Sequence, residues 1–318
     1  DATTTKKKNT TTSSFRPIII DLLNTNNDTI SLLRKKMILA LKDTLRPCFI
    51  IRNHGCEIEI QRTITSCYRK QQQSEENKSN YYTKIDDLNN IDHNNNIVLR
   101  KKLRNVAEII LGILLDNNNI NDDESFQFGS YLRKKNIVLD GELGVRYYNN
   151  TGRKNLGAHV DGNFVTILYA TSNGLQVLKD DTTTINHNDV ANIGIPTCNG
   201  YIPIPPDECW VDVDIDDEEI STTMLTTRAE ENDETIEDND CNNNNHYDLL
   251  FSIGNGWFNN PYISKFIQNA NIGVSCPMLH RVIMKEREKN TTTTNNNFVL
   301  DNNSRYSIPF LLDLQKKE

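Results

Sequence analysis

A change in hydrophobic periodicity near residue 126 constrains the fold of this chain more than any other feature of its sequence. Before that point, apolar residues recur at helical spacing over 29–45, 57–73 and 98–115, and two segments resemble strands, at 15–22 and 48–55. After it, short apolar runs alternate with turns rich in Gly and Asn, at 141–150, 159–170, 174–180, 209–215, 247–255, 276–284 and 304–314. Strands joined without helical crossovers pair antiparallel, so the sequence predicts an α+β fold with N-terminal helices packed on a β-sandwich or barrel.

Two of the predicted helices have a clear apolar stripe. In the helix at 29–45 the stripe contains Ile30, Leu33, Met37, Leu41 and Leu45. In the helix at 98–115 it contains Leu99, Leu103, Val106, Ile110 and Leu114. Residues at this spacing lie on one face of a helix, so we expect both stripes to be buried against the strands.

Polar low-complexity tracts explain why only 36% of the 318 residues are hydrophobic. Examples are NNIDHNNNI at 89–97 and TTTTNNN at 291–297. Such tracts bury too little apolar surface to offset the entropy cost of ordering them. We therefore interpret them as surface insertions, near 180–208, 214–246 and 285–298, and residues 1–14 as a disordered tail.

The formal net charge of −8 is unevenly distributed. The segment 207–240 holds 15 acidic residues and one basic residue, a net −14, so the remainder of the chain is +6. Such a segment is typical of a solvated loop, with an acidic partner-binding arm as the alternative. Basic residues elsewhere are scattered, which argues against a nucleic-acid-binding protein.

The cysteines and apolar runs bear on the compartment of the protein. Seven cysteines occur without a CxxC pair, which indicates neither a disulfide framework nor a zinc site. The first residues lack a signal-peptide core, and runs such as IILGILL at 109–115 are too short to span a bilayer. We expect a soluble cytoplasmic protein that does not bind membranes.

A histidine and an aspartate two residues apart, in LGAHVDGNF at 156–164, suggest a metal site. In a strand, His159 and Asp161 would share one face. Alone, this H-x-D pattern is weak, and the other histidines must supply a third ligand. His280, inside the apolar run CPMLHRVIM, is the candidate, with a neutral core histidine bonded to the backbone as the alternative. Two histidines and one carboxylate form the facial triad of non-haem Fe(II) oxygenases.

The run RYSIPFLLDL near the C-terminus suggests a second site. Arg305 and Ser307, two residues apart on a predicted strand, would also face the same way. A guanidinium and a hydroxyl together make a carboxylate clamp, although a buried Arg paired with a local acid is the alternative. Of the remaining histidines, His54 is predicted to be structural, and three others, His93, His187 and His246, to be solvent-exposed in polar loops.

These motifs, in this order, resemble the isopenicillin N synthase-like branch of the 2-oxoglutarate- and Fe(II)-dependent dioxygenases. The resemblance covers nearly the whole chain, through FRPIIIDL at 15–22, FIIRNHG at 49–55, GVRYYNN at 144–150, HVDGNFVTILYATSNGLQVL at 159–178, HRV at 280–282 and RYSIPFLL at 305–312. It implies a distorted double-stranded β-helix, or jelly-roll, core with N-terminal and flanking helices. The dioxygenase domain would comprise 126–318, and the helical and strand region 15–125 would pack on it.

The resemblance also implies roles for individual residues. Iron would be bound by His159, Asp161 and His280, with no catalytic residue beyond these ligands. Arg305 and Ser307 would hold the distal carboxylate of 2-oxoglutarate. Tyr148 would contact the same carboxylate, with Tyr147 as the alternative if the register differs.

The implied reaction is hydroxylation or desaturation of a small organic substrate, with Fe(II), 2-oxoglutarate and O2 consumed or bound, succinate and CO2 released, and ascorbate as an accessory reductant. Arg146 stands where many plant relatives have asparagine, which favours the isopenicillin N synthase side of the family. Some enzymes there take no 2-oxoglutarate and hold the substrate's own carboxylate with the R-x-S pair. The alternatives are therefore a 2-oxoglutarate-independent Fe(II) oxidase and a non-catalytic binding protein.

Overall fold

A computed structural model describes residues 14–23, 27–73, 81–84, 93–115, 128–149, 156–171, 174–179, 195–197, 200–202, 205–215, 247–270, 272–283 and 304–317. The predicted tail, apart from Ser14, and the predicted insertion at 285–298 lie outside these residues. So do most residues of the predicted insertions at 180–208 and 214–246.

The described residues form a mixed α+β architecture. Its helices are α1 (Asn27–Leu41), α2 (Glu57–Gln73), α3 (His93–Leu115), α4 (Phe128–Lys134), α5 (Gly256–Asn259) and α6 (Ser264–Ala270). Its strands are β1 (Ile18–Asp21), β2 (Cys48–Arg52), β3 (Tyr81–Lys84), β4 (Ile137–Asn149), β5 (Leu156–His159), β6 (Val165–Ala170), β7 (Leu175–Leu178), β8 (Ile195–Thr197), β9 (Gly200–Ile202), β10 (Trp210–Asp212), β11 (Leu249–Ile253), β12 (His280–Val282) and β13 (Ser304–Lys316).

Two main sheets contain most of these strands. The seven-stranded sheet has the order β1-β2-β11-β6-β13-β4-β3, and the four-stranded sheet the order β10-β7-β12-β5. Within both sheets the strands pair antiparallel, except for β1 and β2, which are parallel and are joined through α1. That exception has a simple cause, because a parallel pair requires a crossover connection and α1 supplies it.

Side-chain alternation along the large sheet separates two hydrophobic clusters. On β11, Leu249 and Phe251 pack in the cluster that contains the helices, whereas Leu250 packs in the cluster that contains residues of the small sheet. On β2, Phe49 and Cys48 divide in the same way. Because successive strand residues face opposite sides, helices cover one face of the large sheet and the small sheet covers the other.

The predicted helical stripes are largely buried. All five stripe residues of α3 are at most 3% exposed, and Leu33, Met37 and Leu41 of α1 are at most 5% exposed. The helix α1 ends at Leu41, so Leu45 lies beyond it, and α3 begins at His93 rather than at 98. None of the helices among the described residues is both long enough and apolar enough to cross a membrane.

Two of the strand predictions were wrong in extent. The predicted strand 159–170 is two strands, β5 and β6, which belong to different sheets and are joined by residues 160–164. The predicted strand 276–284 is reduced to β12, three residues long. In addition, α4, α5 and α6 follow residue 126, where the sequence predicted strands without helices.

Candidate metal centre and its cavity

Two histidines from neighbouring strands of the small sheet face each other. The strands β5 and β12 pair antiparallel with His159 directly opposite His280. Directly opposite residues on such strands have Cβ atoms about 5 Å apart, so their side chains meet. The two imidazole rings lie 4.2 Å apart between centroids. Residues that are far apart in the sequence are thus brought together by strand register.

A carboxylate completes the group from just beyond the end of β5. The Oδ1 atom of Asp161 lies 3.7 Å from His159 Nε2 and 3.9 Å from His280 Nε2. One donor atom from each of the three residues lies within 4.8 Å of the others. The backbone carbonyl of Asp161 accepts a hydrogen bond from the Asn255 amide at 2.8 Å, which anchors the loop carrying the carboxylate.

Backbone carbonyls determine which nitrogen of each histidine is available. His159 Nδ1 lies 2.8 Å from the Gly157 carbonyl, and His280 Nδ1 lies 3.2 Å from the Met278 carbonyl. A carbonyl only accepts hydrogen bonds, so both Nδ1 atoms carry hydrogen and donate it. The lone pair of each neutral ring is then on Nε2, the atom that faces Asp161. This is the arrangement expected of metal-binding histidines.

The electrostatic surroundings keep His159 neutral. Burial, together with the neighbouring His280, lowers the pKa of His159 to about 4, against weaker opposing effects of the Gly157 carbonyl and Asp161. A neutral imidazole is the form that binds a metal ion. The site therefore offers two neutral nitrogen donors and one carboxylate oxygen at physiological pH.

The donor set fits a non-haem iron centre. A closed structural zinc site uses four protein ligands, whereas this group, within the described part of the chain, contains three. Two imidazoles and one carboxylate are typical of Fe(II) oxygenases, which keep coordination positions open for substrate-type ligands and O2. Chemically, the residues present are suited to such an ion.

The remaining histidines do not enlarge the group among the described side chains. His54 uses both ring nitrogens, since Nε2 lies 2.6 Å from the Tyr247 carbonyl and Nδ1 accepts from the Cys56 amide at 3.1 Å. The prediction that His54 is structural is therefore confirmed. The side chains of three further histidines, His93, His187 and His246, lie outside the described part of the structure.

The predicted clamp lies on the face of β13 that points toward the small sheet. Arg305 is fully buried and pairs across the strands with Tyr148 of β4, whose ring centroid is 5.3 Å from the guanidinium carbon. Burial lowers the pKa of Arg305, and Tyr148 opposes that shift. A guanidinium nevertheless stays charged in proteins, so Arg305 presents a cation with planar, two-pronged donor geometry.

The register of β4 separates Tyr148 from its neighbour Tyr147. Tyr148 shares the inter-sheet cluster with Leu175 and Met278, and it lines the cavity. Tyr147 faces the helices, with its ring centroid 5.0 Å from that of Tyr306. Of the two tyrosines, only Tyr148 lies on the side of Arg305.

All six predicted site residues line a single cavity between the two sheets. Three of them are the grouped metal-binding candidates, and the others are Arg305, Ser307 and Tyr148. The rest of the lining comes from Arg146, Leu156, Thr166, Leu168, Leu175, Ser252, Met278, Val282, Pro309 and Leu311. The cavity is thus largely apolar, with a charged clamp and a candidate metal-binding group as its main polar features.

Sequence reasoning gave no role to Thr166 or Asn163, which surround the Asp161 carboxylate. The Thr166 hydroxyl lies 2.6 Å from Asp161 Oδ2, and the Asn163 amide nitrogen lies 3.1 Å from the Thr166 hydroxyl. The only sequence signal was a polar residue within the apolar run VTILYA, and threonine is so common in strands that it indicates no function there.

Comparisons with known proteins return only distant structural likenesses. No protein-family model matches the chain, and no curated protein matches it. A crystal structure of a C-terminally truncated Neurospora crassa protein in apo form is 12% identical, with a TM-score of 0.40, covering 93% of this chain and 94% of that one. The full-length Neurospora crassa protein in complex with alpha-KG is 11% identical, with a TM-score of 0.41, covering 94% of this chain and 86% of that one. At this level of similarity, function has to be argued from the geometry of the site.

Proposed function

We propose that this protein is a non-haem Fe(II)- and 2-oxoglutarate-dependent dioxygenase that hydroxylates or desaturates a small organic substrate. The observation that carries the proposal is the placement of a His-Asp-His donor group and a buried arginine on one cavity. A metal-binding group alone fits many proteins, and a buried arginine alone is often structural. Together they match the two ends of a 2-oxo acid, which chelates a metal at one end and has a carboxylate at the other.

In this proposal the two facing sheets form a distorted double-stranded β-helix. Its metal ligands come from β5, β12 and the loop after β5, and its clamp comes from β13 and β4. Residues 126–318 would form the dioxygenase domain, on which 15–125 packs. The pairing of β2 with β11 supports this close association, because it joins an N-terminal strand to the main sheet.

The residues of the chain would bind and orient rather than transfer protons. His159, Asp161 and His280 would hold Fe(II), which in such sites supplies the activation of O2. Arg305 would bind the far carboxylate of 2-oxoglutarate through two parallel hydrogen bonds, and Ser307 would add a third. Apolar side chains such as Leu168 and Leu175 would keep water from the reacting groups.

Anaerobic titration tests this proposal directly. Fe(II)-loaded protein is titrated with 2-oxoglutarate, and the metal-to-ligand charge-transfer absorption of the chelate is followed. We expect the band to appear and saturate in the wild-type protein and to be absent in His280→Ala. Uncoupled succinate release under air, measured in parallel, should follow the same pattern. Absence of the band at saturating 2-oxoglutarate would contradict the use of this co-substrate.

One observation favours a second candidate, a 2-oxoglutarate-independent Fe(II) oxidase. Arg146 lines the same cavity, and its charge contributes to the lowered pKa of His159. A second cation beside the metal group suits a substrate that brings its own carboxylate. In that case Fe(II) binding would persist, whereas the charge-transfer band and succinate release would both be missing.

A further inference from the structure

The carboxylate of Asp161 makes different contacts through its two oxygens. Oδ1 faces the two Nε2 atoms, at 3.7 Å and 3.9 Å. Oδ2 lies 2.6 Å from the hydroxyl of Thr166, which is 4% exposed and projects from β6 into the cavity. This distance is typical of a hydroxyl that donates to a charged carboxylate.

Asn163 determines the direction of that hydrogen bond. Its Nδ2 atom donates to the Val165 carbonyl, and because a carbonyl only accepts, the amide nitrogen must occupy this side. The same Nδ2 lies 3.1 Å from the Thr166 hydroxyl oxygen, while Asn163 Oδ1 lies farther from it, at 3.4 Å. The hydroxyl has one hydrogen, and the nearer, charged acceptor is Asp161. The bonds therefore run from Asn163 to Thr166 to Asp161.

The backbone around this chain of hydrogen bonds is held by the turn that follows β11. The Asn255 amide donates to the Asp161 carbonyl at 2.8 Å, and the Gly256 amide donates to the Asn163 carbonyl at 3.0 Å. Asn163 itself is 8% exposed. Both ends of the loop that bears Asp161 are thus fixed, so the carboxylate depends on Thr166 for its remaining rotational freedom about the side chain.

We propose that Thr166 is a positioning residue that commits Oδ2 of Asp161 to the protein and leaves Oδ1 as the single metal-binding oxygen. This inference rests on the proposed metal centre and extends it. Without the hydroxyl, the carboxylate can rotate, and either it chelates through both oxygens or its ordering costs free energy when the metal binds. Loss of such a partner of a metal ligand typically weakens metal affinity about 10- to 100-fold.

The test compares Thr166→Val with Thr166→Ser. Valine has nearly the same shape but no hydroxyl, whereas serine keeps the hydroxyl and loses a methyl group. Co(II) serves as the probe, because its visible spectrum reports coordination geometry and its affinity can be measured by competition with a chelator, independently of activity. We expect Thr166→Val to bind Co(II) about 10- to 100-fold more weakly, with an altered spectrum. Thr166→Ser should be close to wild type in both.

Ser252 provides a matched control. It lies on β11 directly opposite Thr166, is 3% exposed and lines the same cavity, while Asp161 takes its hydroxyl bond from Thr166. We expect Ser252→Ala to keep wild-type Co(II) affinity. Thermal denaturation of the metal-free proteins shows whether each variant is folded.

Two results would overturn the inference. One is wild-type Co(II) affinity and spectrum in folded Thr166→Val. The other is an equal loss in Thr166→Ser, which would assign the effect to packing and remains decisive if the valine variant does not fold. Failure of the wild-type protein to bind Co(II) would instead contradict the proposed metal centre, so the two failures are distinguishable.

Discussion

At the scale of single residues, the candidate ligands resemble one another in how the protein constrains them. In His159 and His280, Nδ1 is committed to a backbone carbonyl, and in Asp161, Oδ2 is committed to a hydroxyl. The second donor atom of each residue faces the other two. Three separate side chains thus have a protein contact that leaves one atom for a common ligand, which random packing of polar residues would not produce.

Removal of one ligand should abolish metal binding without unfolding the protein. We expect His280→Ala to bind Fe(II) or Co(II) more weakly by well over the roughly 100-fold that loss of a supporting hydrogen bond costs. Metal affinity is measured by anaerobic calorimetry, with circular dichroism to verify the fold. His54→Gln is the control, since His54 is bonded to the Tyr247 carbonyl and lies outside the group. Unchanged affinity in His280→Ala would remove His280 from the proposed ligands.

Replacement of the clamp arginine should affect the co-substrate selectively. Arg305→Lys keeps the charge but loses the two-pronged geometry. A charged hydrogen bond contributes roughly 1.5–3 kcal/mol, so 2-oxoglutarate affinity should fall about 10- to 100-fold while Fe(II) affinity is retained. The KM for the organic substrate should change little. In the oxidase alternative, that KM rises instead and 2-oxoglutarate has no effect.

Arg52 offers a matched control for this measurement. It belongs to the same sheet and pairs with Asp248 through two prongs, at 2.7 Å for the shorter contact, but it does not line the cavity. Arg52→Lys should therefore reduce stability and leave 2-oxoglutarate affinity unchanged. If both lysine variants lower that affinity equally, the effect is a general loss of sheet stability.

At the scale of elements, the sequence predicted strand faces better than strand ends. The alternation in RYSIPFLLDL correctly separated Arg305 and Ser307 from Tyr306 and Ile308, because a half-buried strand imposes a period of two. The chain between His159 and Phe164 was wrongly predicted as continuous strand. Its turn depends on tertiary hydrogen bonds from the 254–256 segment, which local sequence patterns do not contain.

Glycine in that segment allows it to approach the loop of Asp161. A Cβ atom on Gly254 would lie 2.2 Å from the Asn163 carbonyl oxygen and 2.9 Å from that of Asp161. Gly254→Ala should therefore displace the loop, weaken Co(II) binding and lower the free energy of unfolding by about 1–3 kcal/mol, as overpacking does. Calorimetry and urea denaturation measure the two effects.

Gly162 is the control for this substitution. It lies in the same loop, and an added Cβ would meet nothing within 4 Å. Gly162→Ala should bind Co(II) as the wild type does. Equal losses of affinity in the two alanine variants would show that the loop tolerates no alanine for reasons other than the contact with Gly254.

At the scale of the whole molecule, layering explains where the cavity lies. Helices pack on one face of the large sheet, so the polar site residues can occupy the opposite face, between the sheets. The sequence predicted both layers and the ligand types. It could not predict Thr166 and Asn163 as neighbours of Asp161, because their contacts arise from the bend between two sheets. Nor could it predict the short helices α4, α5 and α6.

The same burial makes the metal-free protein sensitive to acid. The pKa of His159 is lowered from 6.5 to about 4 in the folded protein, chiefly by burial, whereas an unfolded chain titrates near 6.5. Between these values the unfolded state binds a proton that the folded state does not. By linkage, the stability associated with this group is fully present above pH 6.5 and is lost as the pH falls toward 4.

Urea denaturation of metal-free protein at about pH 7 and about pH 4.5 measures this loss. We expect the free energy of unfolding of the wild type to fall between these pH values by about 1–3 kcal/mol more than that of His159→Gln, which has no titrating ring. Other acid-sensitive groups are common to both proteins and cancel in the comparison. Because metal binding also requires neutral imidazole, bound Co(II) should increase the stability of the wild type more at the higher pH than at the lower. Equal pH dependence in the two proteins would mean that His159 titrates normally and that burial does not prepare it for a metal.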